Sequence, residues 1–261
     1  MLGNAFFFRS ASGGATLWTP ALLQPALWLD AADPSTVTVA TGVSEWRDKS
    51  GNGRHATQLI ADRQPVYTIG GLNGKNILTF DGNDDHLKHL FNASPAPHSV
   101  FSVARRTTGG GSSFQNIFTA IAAGSPFGAN ICAKIDPSAD WGGYINTWTS
   151  GGASLLNNWS AVGIVSPSAT SGTEIFDTNG QSTTVSYTSR YGGDAFDRRD
   201  IGADFARGTG YLKGDIAEIV VMTSALSEKD RQLMIGYLAW KWGLQGNLPA
   251  GHPYKSNAPT V

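Results

Sequence analysis

The chain is poor in the residues on which most protein chemistry depends. Of 261 residues one is cysteine and four are glutamate (Glu45, Glu174, Glu218 and Glu228), and charged residues make up 15%, where about a quarter is usual. A single cysteine excludes an intramolecular disulfide. Cys132 lies in the alternating stretch 129–135, with no helix start or base beside it to favour a thiolate, so it reads as a small core side chain. Nineteen basic residues against twenty acidic ones leave a net charge of −1, which supplies no field to gather nucleic acid or anionic lipid. Nowhere does an apolar run reach the roughly 18 residues of a membrane-spanning helix, so no membrane insertion is expected. The opening residues 1–9 have no basic stretch and too short an apolar run for a secretory signal. Hydrophobic residues at 41% and aromatics at 10% suffice for a packed core and exclude a disordered chain.

What the chain does have is turns. Glycine accounts for 32 residues, and from Pro25 onward short apolar or alternating runs are broken by turn residues about every 8 to 15 positions. Asn52-Gly53, Asn73-Gly74 and Asn179-Gly180 each suit the two positive φ angles of a type I′ hairpin. Strands are predicted at 26–30, 76–80, 99–105, 115–122, 129–135, 143–148, 159–165, 173–177, 183–189, 200–204 and 215–222, most of them β-branched or aromatic. One helix is predicted from Glu228 to Trp242. Ser227 caps it, Glu228 and Asp230 place carboxylates in its first turn, Leu233, Met234, Tyr237 and Leu238 form an apolar stripe, and Gly243 ends it.

The reading is an all-β fold: a two-sheet antiparallel β-sandwich with one C-terminal amphipathic helix on its flank. Three parts follow. Residues 1–24 form an N-terminal arm, residues 25–243 one domain that includes the helix, and residues 244–261 an extended tail in which Pro249, Pro253 and Pro259 oppose regular structure. In the arm, Leu2, Phe6, Phe7 and Phe8 precede a Ser- and Gly-rich stretch. These four side chains read as an apolar anchor onto another protein, tethered by a flexible segment.

Catalytic patterns are scarce. No Gly-x-Ser-x-Gly elbow is present, and the histidines lack the i, i+4 spacing of a zinc protease. Asp81-Gly82-Asn83-Asp84-Asp85 is dense in oxygens, but His86 and Asn92 occupy the Gly and Glu positions of an EF-hand loop. The segment reads as a turn; no cofactor and no metal site is expected, with calcium on unknown ligands left open. Asp215 and Glu218, three apart on a strand, are expected on opposite faces, and no carboxylate pair of a sandwich glycosidase is visible. Eight tryptophans exceed the needs of such a core. Trp28, Trp46 and Trp240 sit among apolar neighbours and read as packing residues. Trp141, Tyr144 and Trp148 lie among Gly, Asn, Thr and Ser, and are the candidate platform for stacking on sugar rings.

Longer strings are more specific. Trp28-Leu29-Asp30-Ala31-Ala32-Asp33, Glu45-Trp46-Arg47-Asp48-Lys49-Ser50-Gly51-Asn52-Gly53 and Leu78-Thr79-Phe80-Asp81-Gly82 open the domain. Gly214-Asp215-Ile216-Ala217-Glu218-Ile219, Gly236-Tyr237-Leu238-Ala239-Trp240-Lys241-Trp242-Gly243 and Gly251-His252-Pro253-Tyr254 close it. Together they resemble the concanavalin A-like, laminin-G-type jelly roll found in bacteriophage tail and virion proteins and in bacterial surface proteins. The resemblance implies a non-enzymatic virion structural protein displayed on the particle surface, as a head decoration or a fibre-like receptor-binding protein. It implies other virion proteins as partners through the arm, contact with host-surface polysaccharide, and a homo-oligomer, specifically a trimer. A secreted or surface lectin is the alternative, and a glycan hydrolase a further one.

Overall fold

The computed structural model describes residues 16–91, 97–107, 114–120, 129–134, 140–144, 148–168, 171–188, 199–204 and 208–261. In chain order the strands are β1 (Leu27–Asp30), β2 (Val37–Val39), β3 (Val43–Trp46), β4 (Ala56–Thr57), β5 (Val66–Leu72), β6 (Lys75–Asp81), β7 (Leu87–His89), β8 (His98–Arg106) and β9 (Phe114–Ala120). They continue with β10 (Ala129–Lys134), β11 (Asp140–Tyr144), β12 (Trp148–Ser154), β13 (Ser160–Ser166), β14 (Gly172–Thr178), β15 (Gln181–Tyr187), β16 (Asp200–Ile201) and β17 (Lys213–Met222), followed by helix α1 (Glu228–Trp242). One sheet runs β15-β14-β13-β8-β17-β6-β5 with β1 also on β17; the other runs β12-β11-β10-β9-β16-β7-β4-β3-β2. The predicted two-sheet antiparallel sandwich with a single C-terminal helix is the observed fold.

The molecule has three layers rather than two. Between the sheets lie Leu29, Trp46, Leu78, Phe80, Phe118, Phe176, Ile216, Ile219 and Val221. On the far side of the first sheet, Trp18, Phe101, Val103, Val220, Met234, Tyr237, Leu238 and Trp242 form a second apolar layer under α1. The central strands of that sheet are therefore covered on both faces, which explains why β13 and most of β17 are buried throughout and do not alternate in polarity. Within the first sheet one cross-strand position has no room for a side chain: a Cβ on Gly163 would sit 2.4 Å from the Phe101 ring of β8, the residue opposite it in register.

Local signals set the helix ends. The Ser227 hydroxyl accepts from the Asp230 amide at 3.2 Å, and Gly243 takes φ 70° at the C-cap. The stripe is shifted from the predicted one: Ile235 and Trp242 are buried with Met234, Tyr237 and Leu238, while Leu233 is only partly covered. Two of the three Asn-Gly pairs make the predicted turns, with φ 47° and 77° at Asn73-Gly74 between β5 and β6, and 51° and 85° at Asn179-Gly180 between β14 and β15. Asn73 also joins the layers, its Nδ2 donating to the Trp242 carbonyl at 2.7 Å. At Asn52-Gly53 only Gly53 has positive φ, and the pair lies in a loop instead of a hairpin.

Three expectations change. The predicted strand 143–148 is not one strand: its first residues end β11 and its last opens β12, with Tyr144 opposite Trp148, and 145–147 lie outside the described residues. The arm does not extend to residue 24: Trp18 is 5% exposed, packs edge-on against Tyr237 and donates its amide to the Pro259 carbonyl. Nor is the tail simply extended. Leu248 and His252 are buried, Tyr254 lies over Gly236, and the Trp240 indole donates to the Tyr254 carbonyl at 2.7 Å. Thr16 and Leu17 pair with the chain end at Thr260 and Val261, so both segments belong to the folded body.

Candidate functional site

Of the predicted aromatic platform, Trp141 faces the core and not solvent. Trp141 is fully buried between the sheets, its indole donates to the Thr178 hydroxyl at 2.7 Å, and it meets Phe176 edge-on. Its small neighbours make room for it: a Cβ on Gly151 would come within 2.5 Å of its ring. Tyr144 ends β11 and Trp148 begins β12, and their side chains lie outside the described residues, as does that of Cys132 on β10. The anchor residues Leu2, Phe6, Phe7 and Phe8 lie outside the described residues as well.

The densest polar constellation is under the helix. Glu218 of β17 is fully buried. Its Oε1 accepts from Trp28 Nε1 at 2.7 Å and Tyr237 Oη at 3.0 Å, and its Oε2 from Lys241 Nζ at 2.7 Å and Trp242 Nε1 at 2.6 Å. Asp30 stands opposite Glu218 in register. Like charges across a ladder repel, and Lys241 lies between them, 2.6 Å from Asp30 Oδ1. Lys49 closes the chain of charges at 2.8 Å from Asp30 and 2.9 Å from Asp33. Burial acts to raise the Asp30 carboxyl, but Lys241 and Lys49 override it and hold the group below its usual range. At Glu218 burial prevails and the carboxyl is raised, because Asp30 repels it and competes for the same lysine. Burial and the Glu218 charge push the Tyr237 phenol well above its ordinary value.

This geometry overturns one sequence argument. A β-bulge between Ile216 and Glu218 shifts the register of β17. Ile216, Ile219 and Val221 face the inter-sheet core, whereas Ala217 and Val220 face the helix layer. Glu218 thus pairs with Val103 and Asp215 with Arg105, residues two apart on β8, so both carboxylates lie on one face. Asp215 is held there by the Arg105 guanidinium at 2.6 Å and the Thr79 hydroxyl.

Two features are open to solvent. In the turn after β6, carboxylate oxygens of Asp81, Asp84 and Asp85 lie within 4.8 Å of one another, the group among the described residues that could hold a cation. The same oxygens build the turn: Asp81 accepts from the amide and the side chain of Asn83, and Asp85 from the Asp81 amide. Burial and the Asp81 charge push the Asp85 carboxyl up to about 6. The other feature is a cleft of about 390 Å³ over Trp28 and Lys49, walled by Gln24 and Pro25 on one side and Ser50 and Asn52 on the other. Its walls are preformed. Asp48 accepts from the amides of Trp28, Ser50 and Arg54, and Asn52 Nδ2 clips the loop to the carbonyls of Pro25 and Ala26, each at 3.1 Å. Sequence reasoning passed over this cleft because Lys49, Ser50 and Asn52 sit in a string that reads as fold-specifying, while Gln24 had been assigned to the arm.

No protein-family model matches the sequence, and no curated protein matches it. Solved structures share the fold. A Trypanosoma rangeli sialidase in complex with the inhibitor DANA matches with a TM-score of 0.55 at 13% identity, over 82% of this chain and 33% of that one. The same organism's sialidase in complex with sialic acid matches with a TM-score of 0.53 at 11% identity, over 90% and 35%. An α-L-arabinofuranosidase gives 0.49 at 12% identity, over 77% and 51%. The chain thus spans about a third of the length of the sialidases, and at these identities the likeness is one of fold. The expectation that the chain is no enzyme is corrected accordingly. Its premise of carboxylates on opposite faces fails at the β17 bulge, and this fold occurs within sialidases.

Proposed function

We propose that the chain is a carbohydrate-contacting β-sandwich carried on a bacteriophage particle. The observation that carries this reading is the convergence of the strings by which the sequence resembles virion jelly rolls. Trp28 and Asp30, Lys49, Glu218, and Tyr237, Lys241 and Trp242 come from four separate stretches of the chain, and all meet in one ionic cluster. The resemblance therefore runs through a specific three-layer packing and not through composition. Contact with carbohydrate is supported by the fold, which is shared with a sialidase in complex with sialic acid. In this reading Leu2, Phe6, Phe7 and Phe8 meet other virion proteins. Each such side chain contributes roughly 1.5–3 kcal/mol when fully buried, and a trimer would multiply the attachment. A lectin displayed on a cell surface is the competing reading. Mass-spectrometric inventory of purified particles separates the two, since the chain belongs among the structural proteins in the first case and is absent in the second.

A further inference from the structure

The cleft over Trp28 is the surface feature whose construction exceeds what the fold needs. Its floor and one wall are fixed by Asp48 and by the Asn52 clip, so a ligand meets an ordered site and spends little in ordering it. Gln24 forms the other wall, in the left-handed region at φ 51° and ψ 64°, where glycine or asparagine is the unstrained choice. Its side chain is exposed and donates to and accepts from nothing among the described residues. A long amide at a strained backbone position, unused by the fold, is what a ligand contact requires.

The chemistry of the walls selects the ligand class. Lys49 is neutralised by Asp30 and Asp33, so the cleft offers no unpaired charge to an anion. It offers the Gln24 amide and the carbonyl oxygen of the Asn52 side chain as hydrogen-bonding groups, beside the exposed Ala21 and the edges of the buried Pro25 and Trp28; the Ser50 hydroxyl is taken up by the loop, donating to Asp48 Oδ2 at 2.8 Å and accepting from Asn52 Nδ2 at 3.0 Å. The Gln24 amide, which can donate and accept, together with the Asn52 carbonyl oxygen, which accepts, suits vicinal hydroxyls, and the exposed Ala21 methyl gives a small apolar contact beside them. A volume near 390 Å³ is at the lower end of small-molecule sites and suits one sugar residue better than a long stretch of chain. We propose that this cleft binds a terminal neutral sugar residue of a surface glycan through Gln24 and Asn52. The proposal rests on the carbohydrate-contacting reading above and names its site.

The test uses the full-length chain, titrated calorimetrically with host-surface polysaccharide and with glucose, galactose, mannose, rhamnose, glucuronate and sialic acid. Gln24→Gly removes the amide and relieves the backbone, so its melting temperature should equal or exceed that of the wild type. Ala21→Trp fills the cleft from an exposed position. The expected result is binding of the polysaccharide and of at least one neutral sugar, weakened tenfold or more by Gln24→Gly and abolished by Ala21→Trp. Wild-type affinity in both variants overturns the cleft and leaves the carbohydrate reading standing. Binding confined to the acidic sugars overturns the neutral-ligand claim, and binding of neither polysaccharide nor sugar overturns the carbohydrate reading together with the cleft.

Discussion

Removing the ammonium of Lys241 would leave Asp30 and Glu218 facing each other across a ladder, both buried and without their shared counter-charge. Breaking a buried ion pair from one side costs about 3–5 kcal/mol, and Lys241→Met should lose that much stability at pH 7. In the variant Asp30 keeps Lys49 while Glu218, already raised by burial, loses its only lysine and is raised further, so the penalty is full at neutral pH and shrinks on acidification as Glu218 takes up a proton. Urea denaturation at pH 7 and pH 5 checks this, and an equal loss at both would contradict the account. Asp85 offers a second test with the same sign. Its folded value of about 6 lies above the ordinary 3.8, so the folded state is penalised above pH 6 and relieved as pH falls toward 4. Asp85→Asn should therefore stabilise the protein at pH 8 and have no effect below pH 4, read as melting temperature across that range. At this scale the sequence was least legible. Glu218 was visible as an acid on a strand, but its partners are up to 190 residues away and one bulged residue reversed its face. Trp141 was misread for a related reason: the glycines around it suggested an exposed loop, whereas they are the space the buried indole occupies.

The elements divide by how local their determinants are. The bounds of helix α1 were legible because cap, first-turn acids and terminal glycine are all local signals, while its buried face, set by the sheet beneath it, was only partly so. Central strands such as β8, β13 and β17 were legible from their apolar, β-branched content. Strands too short to show an alternating pattern were missed, namely β2 with three residues, β3 with four and β4 with two, and so was β5, whose Gly70-Gly71 interrupts an edge strand at a register shift. The Asn73-Gly74 turn joins the two kinds of signal, being locally a hairpin and distantly the cap on α1. Asn73→Gly keeps a residue suited to φ 47° and deletes the side-chain hydrogen bonds to the Trp242 and Gly243 carbonyls. A loss of about 0.5–1.5 kcal/mol in denaturant unfolding is expected, with the hairpin intact; no loss would mean that the hairpin does not hold the helix end.

For the whole molecule, the strings most specific in the sequence turn out to be the joints between three layers. Trp28, Asp30, Glu218 and Lys241 fasten the helix to the first sheet, and Gly236, Trp240 and Tyr254 fasten the final segment to the helix. That is why fold was legible from the sequence and ligand was not: the joints fix architecture, while at the cleft Gln24 lies outside every motif and Lys49, Ser50 and Asn52 lie in a string that reads as architecture. The body these joints hold together includes Thr16 and Val261, so residues 2–9 can be deleted without touching any contact described. The central claim, a domain carried on a virion through its first residues, is tested most directly by mass-spectrometric inventory of purified particles made with the full-length chain and with that deletion. The account predicts the full-length chain among the structural proteins, and a truncated chain with unchanged melting temperature that is missing from the particle. Particles without the full-length chain, or with the truncated one at full copy number, would contradict it.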